Sequence, residues 1–344
     1  VGLLMNLLIA RFTKFKYVFL TGHHSLFMAC LMSAVLGTAG LSGIELILVG
    51  GFLMGAWSAI SPAIGQSYTS KVTDGDEIAL GHFGSLGYYL SAWVAKYVGK
   101  AEESTEDIEI PEKWGFLRDS TLSTALTMIV FYLIAAIAAG SEFVATLSGS
   151  MSPYLFAVMS AMNFAVGVAI VYSGVRMILG DLIPAFQGIA TKIIPNAIPA
   201  VDCAVFFTYA PTAVVLGFIS SFIGGIIGML ILGAVGGVLI IPGLVPHFFC
   251  GATAGIYGNA TGGRRGAAVG AFLNGLAITF LPALALPVLG QLGFQNTTFG
   301  DADFAVMGLV LGNAFEWIGM AGIYGVVVIA ALVLIIPNFI KTKG

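Results

Sequence analysis

Residues 212–241 read TAVVLGFISSFIGGIIGMLILGAVGGVLII, an unbroken run without a charged side chain. A membrane helix needs about 20 mostly apolar residues, whereas a membrane-spanning strand needs about 10 of alternating polarity. Apolar residues follow one another here without two-residue alternation, so the segment is a membrane helix. Residues 121–140, 154–175 and 324–336 have the same character. Over 344 residues, 58% are hydrophobic and 9% charged, against roughly 25% charged in a soluble protein. That composition excludes a soluble enzyme, a nucleic-acid binder and a disordered chain. The expected fold is an all-α integral membrane protein, and its 46 glycines suit helices that approach closely in lipid.

Polar breaks divide the remainder. Residues 1–10 read as part of a hydrophobic segment, so helices are expected to precede Val1. Arg11, Lys14 and Lys16 form a basic loop, and residues 17–39 are apolar except at Thr21-Gly22-His23-His24-Ser25. A span is expected over 43–60, then a polar stretch over 61–77, then a short apolar piece over 81–98. Residues 102–119 hold seven of the 17 acidic residues and read as a solvated loop. Residues 176–211, with Pro184, Pro195, Pro199 and Pro211, are expected to be irregular. After 244–257 a loop is expected over 258–266, followed by spans over 270–289 and 306–336. In all, eight or nine spans and two or three half-membrane pieces are expected. The lysines at 341 and 343 place the tail in the cytoplasm.

A weak internal symmetry is visible. Thr21–Phe27 and Pro242–Phe248 each place a glycine at a break and a phenylalanine five residues later, and each opens a short apolar helix. Interrupted helices at matching places in two halves point to a transport site.

Charges within lipid depth are costly and mark function. Asp202 has apolar neighbours on both sides, and Pro195 and Pro199 free the backbone before it. Its bland role is to cap a helix starting at Cys203. His23 follows Thr21-Gly22 and His82 follows Leu80-Gly81, so each histidine sits where a helix N-terminus can recognise hydroxyls or an anion. His24 lies about 100° around the helix from His23, so one of the two is expected to face the cavity. Glu316 and Arg176 are further buried-charge candidates. Cys30, Cys203 and Cys250 read as small buried residues. No cofactor or metal motif is present, and none is expected.

Several segments together resemble the ascorbate-specific membrane component (EIIC) of the phosphoenolpyruvate-dependent phosphotransferase system. They are Thr21-Gly22-His23, Val72-Thr73-Asp74-Gly75 leading to Gly81-His82, Gly99–Asp107, Gly174–Met177, Ala200–Ala204, Tyr209-Ala210-Pro211 and Ile240–Gly243. The resemblance implies a homodimer with inverted repeats, a core domain that holds the sugar and a V-shaped dimerisation domain. Residues 1–120 would be the remainder of the first repeat, lacking the opening helices, and 121–344 the second repeat. It implies no cofactor and a bacterial inner (cytoplasmic) membrane location. It also implies two cytoplasmic partners, EIIB with its phosphocysteine and EIIA, and L-ascorbate or a related sugar acid as substrate. His23, His82 and Asp202 match the substrate-contacting positions. Phe27 and Phe83 stand where ascorbate-specific members carry glutamine, leaving His24 or Ser25 to supply the missing contacts. That departure admits another sugar acid or a polyol. A proton-coupled transporter with Asp202 as carrier, or a scaffold protein, is the rival of a different class.

Overall fold

The computed structural model describes residues 1–109, 113, 119–291 and 298–340. Most of the second half of the acidic stretch, the lysines at 341 and 343 and the side chain of Arg176 lie outside the described residues. The helices are α1 (Gly2–Phe12), α2 (Gly22–Thr38), α3 (Gly43–Thr73), α4 (Ser85–Val98), α5 (Ser120–Ala139), α6 (Ser141–Ser148), α7 (Pro153–Lys192), α8 (Pro211–Ala234), α9 (Leu244–Gln291), α10 (Ala302–Ile318) and α11 (Met320–Phe339). Among the described residues, α3, α5, α7, α8, α9 and α11 are long and apolar enough to cross a membrane. The chain is a polytopic all-α membrane protein.

Three expectations about element ends are corrected. α3 runs to Thr73 rather than stopping near residue 60. Its polar half continues because the side chains find partners: Gln66 Nε2 donates to the Ile78 carbonyl at 3.2 Å, and Thr69 Oγ1 lies 2.8 Å from the Tyr257 hydroxyl. α7 continues through Pro184 to Lys192, so the irregular region begins only after that residue. Residues 258–266 form no loop. They lie inside α9, whose helical path breaks at Gly262 and Gly263 alone. Gly263 has φ +57°, and a Cβ there would strike the carbonyl oxygens of Lys100 and Glu103, so only glycine turns the chain at this point. The acidic stretch is also not simply solvated. Glu106 accepts from the Thr212 and Ala213 backbone N–H groups at 3.0 and 3.1 Å, capping the start of α8, as its charge favours.

α8 packs along α9 with Gly217 against Gly255, where an added Cβ would enter the partner backbone. This is the small-residue contact expected in lipid. Around it lies the larger apolar core, including Tyr88, Tyr257, Phe206, Phe207 and Phe248; a second core gathers Met28, Leu31, Phe83, Phe304 and Leu311.

The breaks contain the one element type the composition conceals. Tyr17–Phe19 (β1), Ala79–Leu80 (β2) and Ile198–Val201 (β3) form a small parallel sheet in the order β1-β3-β2. Phe19 pairs with Ala200, and Leu80 with Val201. Backbone polar groups within a membrane protein need internal partners. The groups near Pro199 find theirs in these ladders. Leu20 N–H donates to the Ala200 carbonyl at 2.9 Å, and Gly81 N–H to the Val201 carbonyl at 2.7 Å. These strands run in one direction, so the residues that follow each of them emerge at a single end.

Candidate functional site

At that end emerge Thr21–His24 after β1, Gly81–Phe83 after β2 and Asp202 after β3. The Thr21 hydroxyl donates to the Gly81 carbonyl, tying two of the exits together. A cavity of about 380 Å³ opens there, lined among others by His23, His24, His82, Asp202, Cys250 and Asp301. Three of the chain's four histidines thus meet in one place. A second cavity, about 400 Å³, lies among α1, α2 and α3; its walls are mostly apolar, with no charged side chain. The chemistry is in the first.

Asp202 stands between two imidazoles. His23 Nε2 is 3.6 Å from one carboxylate oxygen and His82 Nε2 is 3.9 Å from the other. Both gaps exceed a hydrogen bond, so neither ring holds the carboxylate directly. The capping role fails on geometry: a 3₁₀ turn (Cys203–Thr208) does start after Asp202, but the side chain makes no capping bond. The carboxylate is left to the cavity.

The tautomers of two histidines are set by their partners. Phe83 N–H donates to His24 Nδ1 at 3.3 Å, and Gly84 N–H donates to His82 Nδ1 at 3.1 Å. A backbone N–H only donates, so each Nδ1 bears no proton and each Nε2 does. The Tyr88 hydroxyl, 2.9 Å from His82 Nδ1, therefore donates as well. Both rings, tilted 51° to one another with centroids 3.8 Å apart, are left with one N–H donor each at Nε2. His24, His82 and Asp301, and also His82, Asp202 and Cys203, lie close enough to share an ion. A metal-bound histidine must offer a lone pair while its other nitrogen donates. Here Nδ1 is occupied as an acceptor, so the arrangement suits an oxygen acceptor rather than a cation.

The sequence-predicted residues divide. His23, His24, Phe27, His82 and Asp202 line the cavity, and both neighbouring histidines reach it where one was expected. Ser25 does not: its hydroxyl turns back to the Thr21 carbonyl at 3.2 Å, and the residue lines the apolar cavity instead. Phe83 is fully buried and stacked on Phe19, ring centroids 4.5 Å apart; it meets the site only through its backbone. Glu316 is exposed rather than buried, and so is Cys30.

Asp301 and Asp303 were not foreseen. Asp301 accepts from the Cys250 thiol at 2.8 Å and lies 3.8 Å from His82 Nδ1. The available signal was two carboxylates, Asp301-Ala302-Asp303, just before an apolar run, a pattern that reads first as a helix start. No lysine or arginine lines the cavity among the described residues. The positive ends of α2, α9 and α10 converge on it instead, through His23, Val245 and Asp301, and favour negative charge in front of them.

The family profile described as EIIC-GAT, PTS system sugar-specific permease component, matches residues 1–303. A curated relative, the ascorbate-specific PTS system EIIC component of Mycoplasma pneumoniae, is 25% identical over an alignment of 305 residues. That match covers 76% of this chain and 46% of the relative, so the chain spans about half the relative's length. The profile covers most of the chain, which belongs to the EIIC-GAT family of sugar-specific permease components of the phosphotransferase system.

Proposed function

We propose that this chain carries the sugar-binding part of a permease that takes L-ascorbate or a related sugar acid inward across the bacterial cytoplasmic membrane. The observation that carries the reading is the Asp202 carboxylate set between His23 and His82, with the Nε2–H donors of His82 and His24 in the same cavity. The imidazoles donate to the ring oxygens, and Asp202 accepts from side-chain hydroxyls. Ascorbate is a monoanion at neutral pH, and the N-termini of α2, α9 and α10 favour it. In this reading EIIB, recharged by EIIA, meets the bound sugar on the cytoplasmic side. The S–P bond of its phosphocysteine breaks, an O–P bond forms on the terminal hydroxyl, and the hydroxyl proton leaves to water. His23, His82 and Asp202 position the acceptor and are never phosphorylated. The working unit is a homodimer of inverted repeats, with a core domain moving against a V-shaped scaffold.

Asp301 favours a second substrate class. Among the described residues two carboxylates and no lysine or arginine face the cavity, and Phe27 replaces an amide that would contact ascorbate. A neutral polyol avoids the repulsion an anion meets there.

Vesicles holding the full-length protein, supplied with phosphorylated EIIB and labelled ascorbate, test the reading. Phosphorylated ascorbate inside is the expected outcome. Phosphorylated polyol with no ascorbate product selects the second class. Free solute accumulating under a pH gradient overturns both in favour of proton coupling, and no uptake of any sugar leaves a scaffold.

A further inference from the structure

One buried carboxylate lies outside the cavity lining. Asp303, near the start of α10, has no exposed surface. Its oxygens accept from the Leu86 N–H at 3.0 Å, the Ser85 hydroxyl at 2.7 Å and the Trp57 indole N–H at 3.1 Å. Its own backbone N–H donates to the Phe83 carbonyl at 2.9 Å. Three of these four bonds fall on residues 83–86, the end of the turn that links β2 to α4 and the first two residues of that helix. The Phe83 and Gly84 amides of that same turn fill Nδ1 of His24 and His82.

We infer that Asp303 is a positioning residue: by holding residues 83–86 it fixes the tautomers of His24 and His82, so that both turn an Nε2–H toward the ligand. The inference rests on the cavity being the sugar site. A carboxylate is suited to the task because both its oxygens only accept, and three donors converge on it. An amide of the same shape has one accepting oxygen and would aim its NH₂ at a donor. A buried donor left unpaired is costly, which favours a shift of the turn. Once it shifts, no backbone N–H holds either Nδ1, and the Tyr88 hydroxyl beside His82, which can donate or accept, does not dictate the tautomer.

The full-length protein with ¹⁵N-labelled histidine rings, in lipid nanodiscs, tests this by nuclear magnetic resonance. The chain has four histidines, so single substitutions assign the spectrum. The native protein is expected to show unprotonated Nδ1 at both His24 and His82. Asp303→Asn should mix the tautomers and weaken binding of labelled ascorbate or polyol about tenfold, with helix content unchanged. Trp57→Phe and Ser85→Ala, each removing one donor to Asp303, should move the spectrum the same way by less, and they carry the test if Asp303→Asn fails to fold. Protonated Nδ1 in the native protein, or an unmoved spectrum in the variants, overturns the inference. Native protein that binds no sugar defeats the functional reading instead, while the ring spectrum still decides the role of Asp303.

Discussion

The two helix openings that look alike in sequence, Thr21–Phe27 and Pro242–Phe248, both send residues to the cavity, in a register one residue off the glycine match. Matching the glycines pairs Phe27 with Phe248. The helices themselves begin at Gly22 and Leu244, which pairs Phe27 with Phe249. In that register His23, His24 and Phe27 line the cavity from one side, and Val245, Pro246 and Phe249 from the other. The next position in each turns away. Ser25 bonds back to Thr21, and His247, buried, lies 2.9 Å from the Ser221 hydroxyl on α8. One residue of register is 100° of rotation on a helix, enough to exchange a ligand contact for a packing contact. The first opening supplies polar groups to the site and the second supplies apolar walls. Local pattern sets where a helix starts; the neighbours decide what each side chain meets.

This comparison can be broken by substitution. Phe248, fully buried beside Phe164, Phe207 and Phe218, should behave as core: Phe248→Ala should cost about 3–5 kcal/mol, read as a lowered unfolding temperature in detergent. A large loss of affinity at native stability would restore the glycine-based register. Asp202→Asn should weaken sugar binding about 100-fold, the scale of a charged hydrogen bond; near-native binding would remove Asp202 from the site. His24→Ala should weaken binding about tenfold, whereas His247→Ala should leave affinity intact and lower stability by about 1 kcal/mol. Equal losses of affinity at both histidines would make the two openings equivalent. Ser25→Ala is expected to change binding less than twofold, and a larger loss in a titration would return the hydroxyl to the cavity.

Much of the site was legible because charge and ring nitrogen are rare in this chain. Asp202, His23 and His82 declare themselves against apolar surroundings, since burying such groups within lipid depth has a cost that calls for a reason. Asp301 and Asp303 did not, because an acidic pair before an apolar run is what any helix start looks like. Phe83 was misplaced for a different reason. Adjacency to His82 says nothing about where a side chain points once the chain leaves a strand, and here the ring stacks on Phe19 while the amide serves His24. The length of α3 and α7 was underestimated because polar residues and Pro184 ended the apolar signal, although paired side chains carry α3 on and α7 runs through its proline.

By itself the amino-acid sequence determined that the chain lives in a membrane, that it is helical, and which rare polar residues are candidates for recognition. Those conclusions rest on the hydrocarbon's intolerance of unpaired backbone and of charge, which any stretch of about 20 residues reports locally. Only the tertiary structure decided that three short strands run parallel, release Asp202 and two histidine-bearing turns at one end, and fix the protons of His24 and His82 through backbone amides. Strand pairing and the His24 tautomer depend on partners some 60 to 180 residues away along the chain, and no local pattern encodes them.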